Sequence, residues 1–189
     1  MTSQSRQRTS VYWDMFIHPA FGDQPIYVAA TEEGLCQITF PHEPFEYLVA
    51  SVKKRVADAQ LVQSMEQLRP YCTQLKEYLE GERKAFTVPV DFRGTEFQND
   101  VWRELVRIPF GETRSYSDIA IAIGRGKAVR AVGAANGANP VPIVVPCHRV
   151  IGKNNTLTGF RGGLAIKETL LRLEGAGSYK AKGHQRYLF

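Results

Sequence analysis

Cysteine is scarce in this sequence: Cys36, Cys72 and Cys147 are its three examples, widely spaced and without a C-x-x-C pair. An odd number of isolated cysteines argues against a disulfide framework and favours a reducing compartment. A four-ligand zinc site is not expected either, because Cys36 and His42 have no second pair of ligands to complete it. We therefore expect no metal, and we interpret Cys36 and Cys72 as core residues.

Long hydrophobic runs are also missing. No apolar stretch approaches the roughly 18 residues of a membrane span, and the opening segment MTSQSRQRTS has no apolar region typical of a secretory signal. Hydrophobic residues still make up 43% of the 189 positions, which is enough for a packed core in one domain or two small ones. These features predict a soluble cytoplasmic protein with no membrane partner.

Positive charge is distributed unevenly, although the net charge is only +5. Residues 1–94 hold 10 lysines and arginines against 12 acidic residues, whereas residues 95–189 hold 14 against 7. A basic half suggests contact with a polyanion, and nucleic acid is the favoured partner. A solvated basic face would give the same counts, so charge alone leaves both interpretations open.

The first half of the sequence predicts a small sheet with helices. Gly34 marks a turn between two strands, and Pro70 lies within a helical pattern as a possible kink or first-turn residue. The predicted strands lie within 25–40 and at 85–92, and the predicted helices cover 45–56 and 64–82.

The second half is predicted to be mainly helical. A domain boundary is expected near Gly94, where Thr95 is a candidate N-cap for a helix over 96–107. Ser115 and Asp118 have the spacing of a capping box. Two helices around a glycine-rich turn follow, the second running from about Lys127 to Asn136, and this spacing is typical of a helix-turn-helix. A last helix is predicted over 164–175, before a basic tail at 176–189.

The segment IVVPCHRVIG, residues 143–152, places Cys147 directly before His148. A thiolate is the reactive form of cysteine, and a neighbouring base promotes its formation. Glu168, in the last helix, could orient the histidine and complete a cysteine–histidine–acid relay. Adjacent residues of an extended segment point in opposite directions, so His148 would act through a water molecule. These residues alone leave a buried structural cysteine as the alternative.

Four motifs occur in order over about residues 95–175: SYSDIA, AVRAVGAANGANP, NPVPIVVPCHRVIG and GGLAIKETLLRLEG. Together they resemble the O6-alkylguanine-DNA alkyltransferases, also called methylated-DNA–protein-cysteine methyltransferases. The resemblance implies an α/β, ribonuclease-H-like domain at 1–94, without the zinc that some members hold. It also implies a mainly α, winged helix-turn-helix-like domain at 95–175.

The function implied by this resemblance is direct DNA repair by base flipping. An alkyl group would pass from O6-alkylguanine, or from O4-alkylthymine, in double-stranded DNA to Cys147. The resemblance implies one reaction per molecule, no cofactor and a monomeric protein. His148 would draw off the thiol proton through a water molecule, supported by Glu168. Asn139 would tie the turn before the reactive segment, and the hydroxyl of Tyr116 would meet the flipped base at N3.

The resemblance also assigns residues to DNA and to the pocket. Arg130 would fill the gap that the flipped base leaves, while the helix-turn-helix lies in the minor groove. Phe160 stands where the family commonly has tyrosine, and so lacks that hydroxyl. The other residues expected at DNA are Lys127, Ala131, Ala134, Ala135 and Gly137, and the pocket would be formed with Val150, Phe160, Arg161 and Gly162.

Other functions remain as alternatives on sequence grounds. A non-catalytic sensor of alkylated DNA would share the helix-turn-helix, but such proteins replace the reactive cysteine, and Cys147 is present. A cysteine hydrolase would use Cys147 and His148 but would leave the basic helix-turn-helix without a role. A repair domain joined to a transcriptional regulator would need further domains.

Overall fold

The computed structural model describes residues 8–177 and 179–180 and divides the chain into two compact units. The first unit consists of the described residues up to Gln74 together with Thr87–Arg93. The second consists of Leu75–Phe86 and the described residues from Gly94 onward. Residues 75–86 therefore belong to the second compact unit, although the predicted first domain, 1–94, includes them. Most of the predicted tail, 176–189, lies outside the described residues.

The first unit contains the strands β1 (Thr9–Ile17), β2 (Pro25–Thr31), β3 (Gly34–Ile38) and β4 (Ala59–Gln63). They form one sheet in the order β3-β2-β1-β4. The pairs β1–β2 and β2–β3 are antiparallel, whereas β4 lies parallel to β1. The parallel pair requires a crossover, and a helix between β3 and β4 provides it.

The crossover helix α1 (Phe45–Arg55) packs on this sheet. Its buried residues Leu48 and Val52 are four positions apart, so they lie on the same side of the helix. They form a core cluster with Cys36 and other strand residues. Burial raises the pKa of the Cys36 thiol to about 12 and that of Cys72 to about 11. Both thiols are therefore protonated at neutral pH and unsuited to nucleophilic chemistry.

The predicted strand over 85–92 is wrong, and two strands of the first unit were not predicted. Within that segment, only Val90 forms a bridge, with Leu35. Pro89 has no N–H to continue a ladder, although its carbonyl accepts a hydrogen bond from Leu35 N at 2.9 Å. These strands are β1 and β4. Strand β1 begins in a polar part of the sequence, and β4 is too short to show a clear alternation of apolar and polar residues.

The second unit is mainly helical, with one two-stranded parallel sheet. Thr95 and Ser115 each cap the N-terminus of a helix as the sequence predicts, and each forms a capping box with the residue three positions later. A single long helix, α2 (Met65–Leu79), continues past Gln74 into this unit and contains Pro70. The remaining elements are α3 (Glu96–Val106), β5 (Arg114–Ser115), α4 (Tyr116–Ala122), α5 (Val129–Gly137), β6 (Val150–Ile151) and α6 (Leu164–Leu173).

Helices α4 and α5 form the predicted helix-turn-helix. Gly124 lies in the turn between them with a φ of 70°, a left-handed conformation that glycine adopts without strain. Helix α5 packs inward, and its Ala135 carbonyl accepts a hydrogen bond from the buried Trp102 indole at 2.8 Å. The predicted class, an α/β part followed by a mainly α part, is confirmed. Among the described residues, no helix is both long and apolar enough to cross a membrane.

Candidate active site around a buried cysteine

Cys147 opens a single 3₁₀ turn, Cys147–Arg149, within a segment whose residues are all buried from 141 to 150. Asn139 supports the chain just before this turn. Its amide donates to Val145 O at 2.8 Å, and its side-chain oxygen accepts from Val141 N at 3.0 Å. These are the side-chain hydrogen bonds that the family resemblance implies for Asn139. The asparagine thus holds the approach to Cys147 in one conformation.

Two cations and one amide influence the ionisation of Cys147. Burial raises the pKa of its thiol, while a hydrogen bond with Asn139 and the charges of Arg161 and Lys167 act in the opposite direction. Lys167 is wholly buried, and its Nζ donates to the carbonyls of Val150 at 2.6 Å and Thr158 at 3.0 Å. These contributions offset only part of the effect of burial, so the pKa of the thiol stays raised and a base is needed to remove its proton.

Lys167 was not predicted as a site residue. Burial lowers its pKa to about 8, so it remains mostly protonated at neutral pH. Its spacing in the sequence indicates that it is buried, because Lys167 lies three residues after Leu164 and four before Leu171, on the buried side of α6. A lysine on an apolar helical face requires hydrogen-bonding partners, since an unpaired buried charge is costly.

His148 is fully buried and contacts Glu174, with 2.8 Å between its Nε2 and the carboxylate Oε1. Burial by itself would raise the pKa of Glu174, but hydrogen bonds from His148 and Arg149 lower it to about 2. The ionised carboxylate only accepts hydrogen bonds, so Nε2 must carry the proton. Burial lowers the pKa of His148, so the ring is neutral and its Nδ1 has a free lone pair. This nitrogen is a base.

The expected contact between Glu168 and His148 is wrong. Glu168 is partly exposed and accepts a hydrogen bond from Arg172 at 2.7 Å, one turn along the same helix. Glu174, at the C-cap of α6, occupies the role expected of Glu168. A carboxylate at a helix C-terminus is unfavourable next to the negative end of the helix dipole. Its position just before Gly175 was therefore a signal that Glu174 has a specific partner.

Three further groups bind the Glu174 carboxylate, and none was predicted. Arg149 donates from Nε to Oε2 and from a terminal nitrogen to Oε1, each at 2.9 Å. The Tyr78 hydroxyl donates to Oε1 at 2.6 Å, and the amide of Gly111 donates to Oε2 at 3.1 Å. A buried charge with this many donors is well compensated, so the carboxylate is rigidly held.

Tyr116 lies at the start of α4, where its hydroxyl accepts a hydrogen bond from Thr158 Oγ1 at 3.3 Å. Burial raises the pKa of this phenol, with a smaller upward contribution from Cys147. The group is therefore protonated and able to donate. Two of the predicted pocket residues have contacts with other residues of the site. The ring centroid of Phe160 lies 5.8 Å from Lys167 Nζ, and Arg161 donates to Asn139 O at 3.2 Å.

Helix α5 presents one exposed face, which we call the α5 surface. It contains Lys127 just before the helix, followed by Arg130, Ala131, Ala134 and Gly137. Ala135 was expected at DNA, and the structure corrects this: the residue is 3% exposed and lies with Val132 on the buried side of the helix. A helix of 3.6 residues per turn places residues 131 and 134 on one face and residues 132, 135 and 136 on another.

Fold and site together define a protein whose helix-turn-helix unit buries a cysteine beside a histidine–glutamate pair. Residues 96–176 match the family described as 6-O-methylguanine DNA methyltransferase, DNA binding domain. Residues 20–92 match its ribonuclease-like domain. The chain belongs to this family of methylated-DNA–protein-cysteine methyltransferases, and the ribonuclease-like assignment predicted for the first domain is confirmed.

Individual relatives agree with this assignment over most of the chain. The inducible methylated-DNA–protein-cysteine methyltransferase of Bacillus subtilis is 49% identical over 171 residues, covering 90% of this chain and 94% of the relative. The methyltransferase of Methanosarcina acetivorans is 46% identical over 166 residues, covering 88% and 99%. The crystal structure of Mycobacterium tuberculosis OGT in complex with DNA is similar at a TM-score of 0.72 and 36% identity, covering 90% of this chain and 96% of that one.

Proposed function

We propose that this protein repairs DNA by moving an alkyl group from O6 of guanine, or O4 of thymine, to the sulfur of Cys147. The observation that carries the proposal is the buried series Cys147, His148 and Glu174 inside the helix-turn-helix unit. Family membership and the similar relatives named for this activity support it.

The chemical step begins with loss of the thiol proton. His148 Nδ1 receives it through a water molecule, and Glu174 stabilises the imidazolium through the Nε2 hydrogen bond. The thiolate attacks the alkyl carbon, so the S–C bond forms as the C–O6 bond breaks. Charge then develops on the departing guanine, and the Tyr116 hydroxyl donates a hydrogen bond to N3 of the base. Tyr116 is suited to this role because its raised pKa keeps it protonated.

The proposed partner is double-stranded DNA, approached from the minor groove. A base inside the duplex cannot reach a cysteine that is 4% exposed, so the alkylated nucleotide must flip out of the stack. Small side chains on the α5 surface permit close approach of the helix, and the exposed Arg130 is placed to enter the gap. The DNA complex of the similar M. tuberculosis protein supports this partner. We propose that one protein molecule acts as a monomer.

The proposed setting is a reducing compartment, the cytoplasm. Cys36, Cys72 and Cys147 are all free thiols in the structure. A reactive cysteine that must remain reduced until it meets DNA is best preserved where disulfides do not form.

We expect one reaction per protein molecule, because the alkylated cysteine is a stable thioether. The test is intact-protein mass after exposure to duplex DNA containing O6-methylguanine, followed by peptide mapping. We expect one added methyl group, located on the Cys147 peptide, and none in Cys147→Ser. Cys36→Ser and Cys72→Ser serve as matched controls that should react normally. Repair of many lesions per molecule, or alkylation of another cysteine, would contradict the proposal.

A further inference from the structure

Two buried side-chain polar atoms have no hydrogen-bond partner among the described residues: Asn136 Oδ1 and His148 Nδ1. Both belong to side chains beside Cys147. His148 follows it in sequence, and the Asn136 amide donates to the Cys147 carbonyl at 3.4 Å. Asn136 itself is 3% exposed. Buried polar atoms are rarely left unpaired, and an internal water molecule is the usual partner.

The chemistry of each atom can be assigned. Asn136 must turn its amide nitrogen toward the Cys147 carbonyl, because the reverse orientation would bring two acceptors together. Its Oδ1 is therefore an acceptor. His148 Nδ1 is also an acceptor, because the Glu174 carboxylate keeps the ring proton on Nε2. One water molecule bound between the two acceptors would donate a hydrogen to each and still accept one from the thiol.

We propose that Asn136 is a positioning residue for thiol deprotonation, its Oδ1 orienting the water molecule that carries the Cys147 proton to His148. The Sγ–H proton passes to the water oxygen as one water hydrogen passes to Nδ1. The products are a thiolate, an imidazolium and an unchanged water molecule, with the hydrogen bond to Asn136 kept throughout. The inference rests on the proposed function for its biological meaning, but the thiol chemistry can be tested separately.

Other groups near the relay also affect its ionisation, so the test must separate them from Asn136. The groups that face His148 or Cys147 are Glu174, Arg149, Tyr78, Lys167, Arg161 and Tyr116. Asn136 carries no charge and bonds to none of these side chains in the described contacts. Replacing it leaves their charges in place, so a change in the pH profile reports on the relay.

The main variant is Asn136→Leu, which keeps the approximate shape and removes both amide atoms. Val132→Ala, a buried change one turn earlier on the same side of α5, is the matched packing control. Cys147 alkylation is followed by peptide mass with two probes, iodoacetamide and free O6-benzylguanine, from about pH 6 to about pH 10. We expect Asn136→Leu to slow both reactions roughly tenfold at neutral pH, because a poorly oriented water molecule would lose part of the acceleration that the general base provides. The rate should return toward wild type at high pH, where hydroxide removes the proton.

A second test uses the His148→Ala background. If Asn136 acts through the same water molecule, adding Asn136→Leu should slow the reaction no further. An additive loss would overturn the inference. If circular dichroism shows that Asn136→Leu does not fold, Asn136→Ser replaces it. We expect this variant to show a smaller loss of rate at neutral pH and the same recovery at high pH.

The outcomes distinguish this inference from the proposed function. A wild-type protein that reacts with iodoacetamide but takes no benzyl group would contradict the function and leave the Asn136 test intact. A loss that is equal at every pH, like that expected of Val132→Ala, would assign Asn136 a packing role and overturn the inference. Asn136→Leu could instead need more O6-benzylguanine for half-maximal rate while its iodoacetamide kinetics stay normal. That result would show that Oδ1 contacts the base, and it would also overturn the inference.

Discussion

His148 donates a hydrogen bond to Glu174 across 2.8 Å, and neither side chain is exposed to solvent. The same carboxylate is bound by Arg149 and Tyr78, so it stays ionised inside the protein. An ionised acceptor fixes the proton of the histidine on Nε2 and leaves Nδ1 as the basic nitrogen. One buried carboxylate thus determines which atom of His148 can accept a proton from Cys147.

The first prediction is that Glu174→Gln slows alkyl transfer at neutral pH by roughly tenfold or more, because the glutamine no longer favours an imidazolium. The rate should recover in part as pH rises. Glu168→Gln is the matched control: its exposed ion pair with Arg172 should contribute little. Single-turnover kinetics against pH provide the measurement. A larger loss in Glu168→Gln than in Glu174→Gln would contradict the assignment.

The second prediction concerns acid stability. The pKa of Glu174 is about 2 in the folded state and ordinarily 4.5, so its ionised form stabilises the fold above about pH 4.5. That stabilisation, roughly 3 kcal/mol, is lost as pH falls from about 4.5 to about 2. The lowered pKa of His148 acts in the same direction, since its protonation below about pH 6.5 favours unfolding.

Urea unfolding at a series of pH values measures this effect. We expect wild-type stability to fall steadily through the acid range. Glu174→Gln should be less stable at neutral pH and show a flatter curve between about pH 4.5 and about pH 2. Glu168→Gln should follow the wild-type curve, and an unchanged acid slope in Glu174→Gln would show that the carboxylate has little effect on folding.

The third prediction is that Lys167→Met raises the pKa of Cys147, because a buried positive charge near the sulfur is removed. Iodoacetamide labelling of the Cys147 peptide at about pH 7 should slow several-fold. The variant should also lose stability, by about 1–3 kcal/mol, since the Val150 and Thr158 carbonyls lose their donor. Lys153→Met, an exposed change, is the control. Unaltered labelling in Lys167→Met would exclude an electrostatic role.

The fourth prediction separates base flipping from chemistry. Arg130→Ala should slow repair of O6-methylguanine in duplex DNA much more than reaction with free O6-benzylguanine, because a free base needs no flipping. The salt dependence of DNA binding should also weaken slightly. Arg107→Ala, which removes an exposed cation directly after α3, is the matched control. Equal losses on the two substrates would place Arg130 in support of the fold or pocket instead.

Much of the second unit could be predicted from local sequence. Thr95 and Ser115 cap helices because their hydroxyls reach a backbone amide three residues later, a short-range interaction that needs no tertiary structure. The helix-turn-helix follows from apolar spacing on either side of a glycine turn. The reactive pair Cys147 and His148 is adjacent in sequence, so it too was visible before folding.

Tertiary packing decided which distant side chains complete the site. Glu168 and Glu174 lie on or next to the same helix, and only packing of α6 determines that Glu174 reaches a histidine 26 residues away. The burial of Ala135 and the contacts of Lys167 depend likewise on which side of each helix faces the core. Hydrophobic periodicity identifies a buried face, but the partners of a buried charge come from other elements. Local sequence therefore determined the nucleophile and the helices. The three-dimensional fold selected the carboxylate of Glu174 and the ammonium group of Lys167. A buried charge is stable only where packing brings its partners within hydrogen-bonding distance.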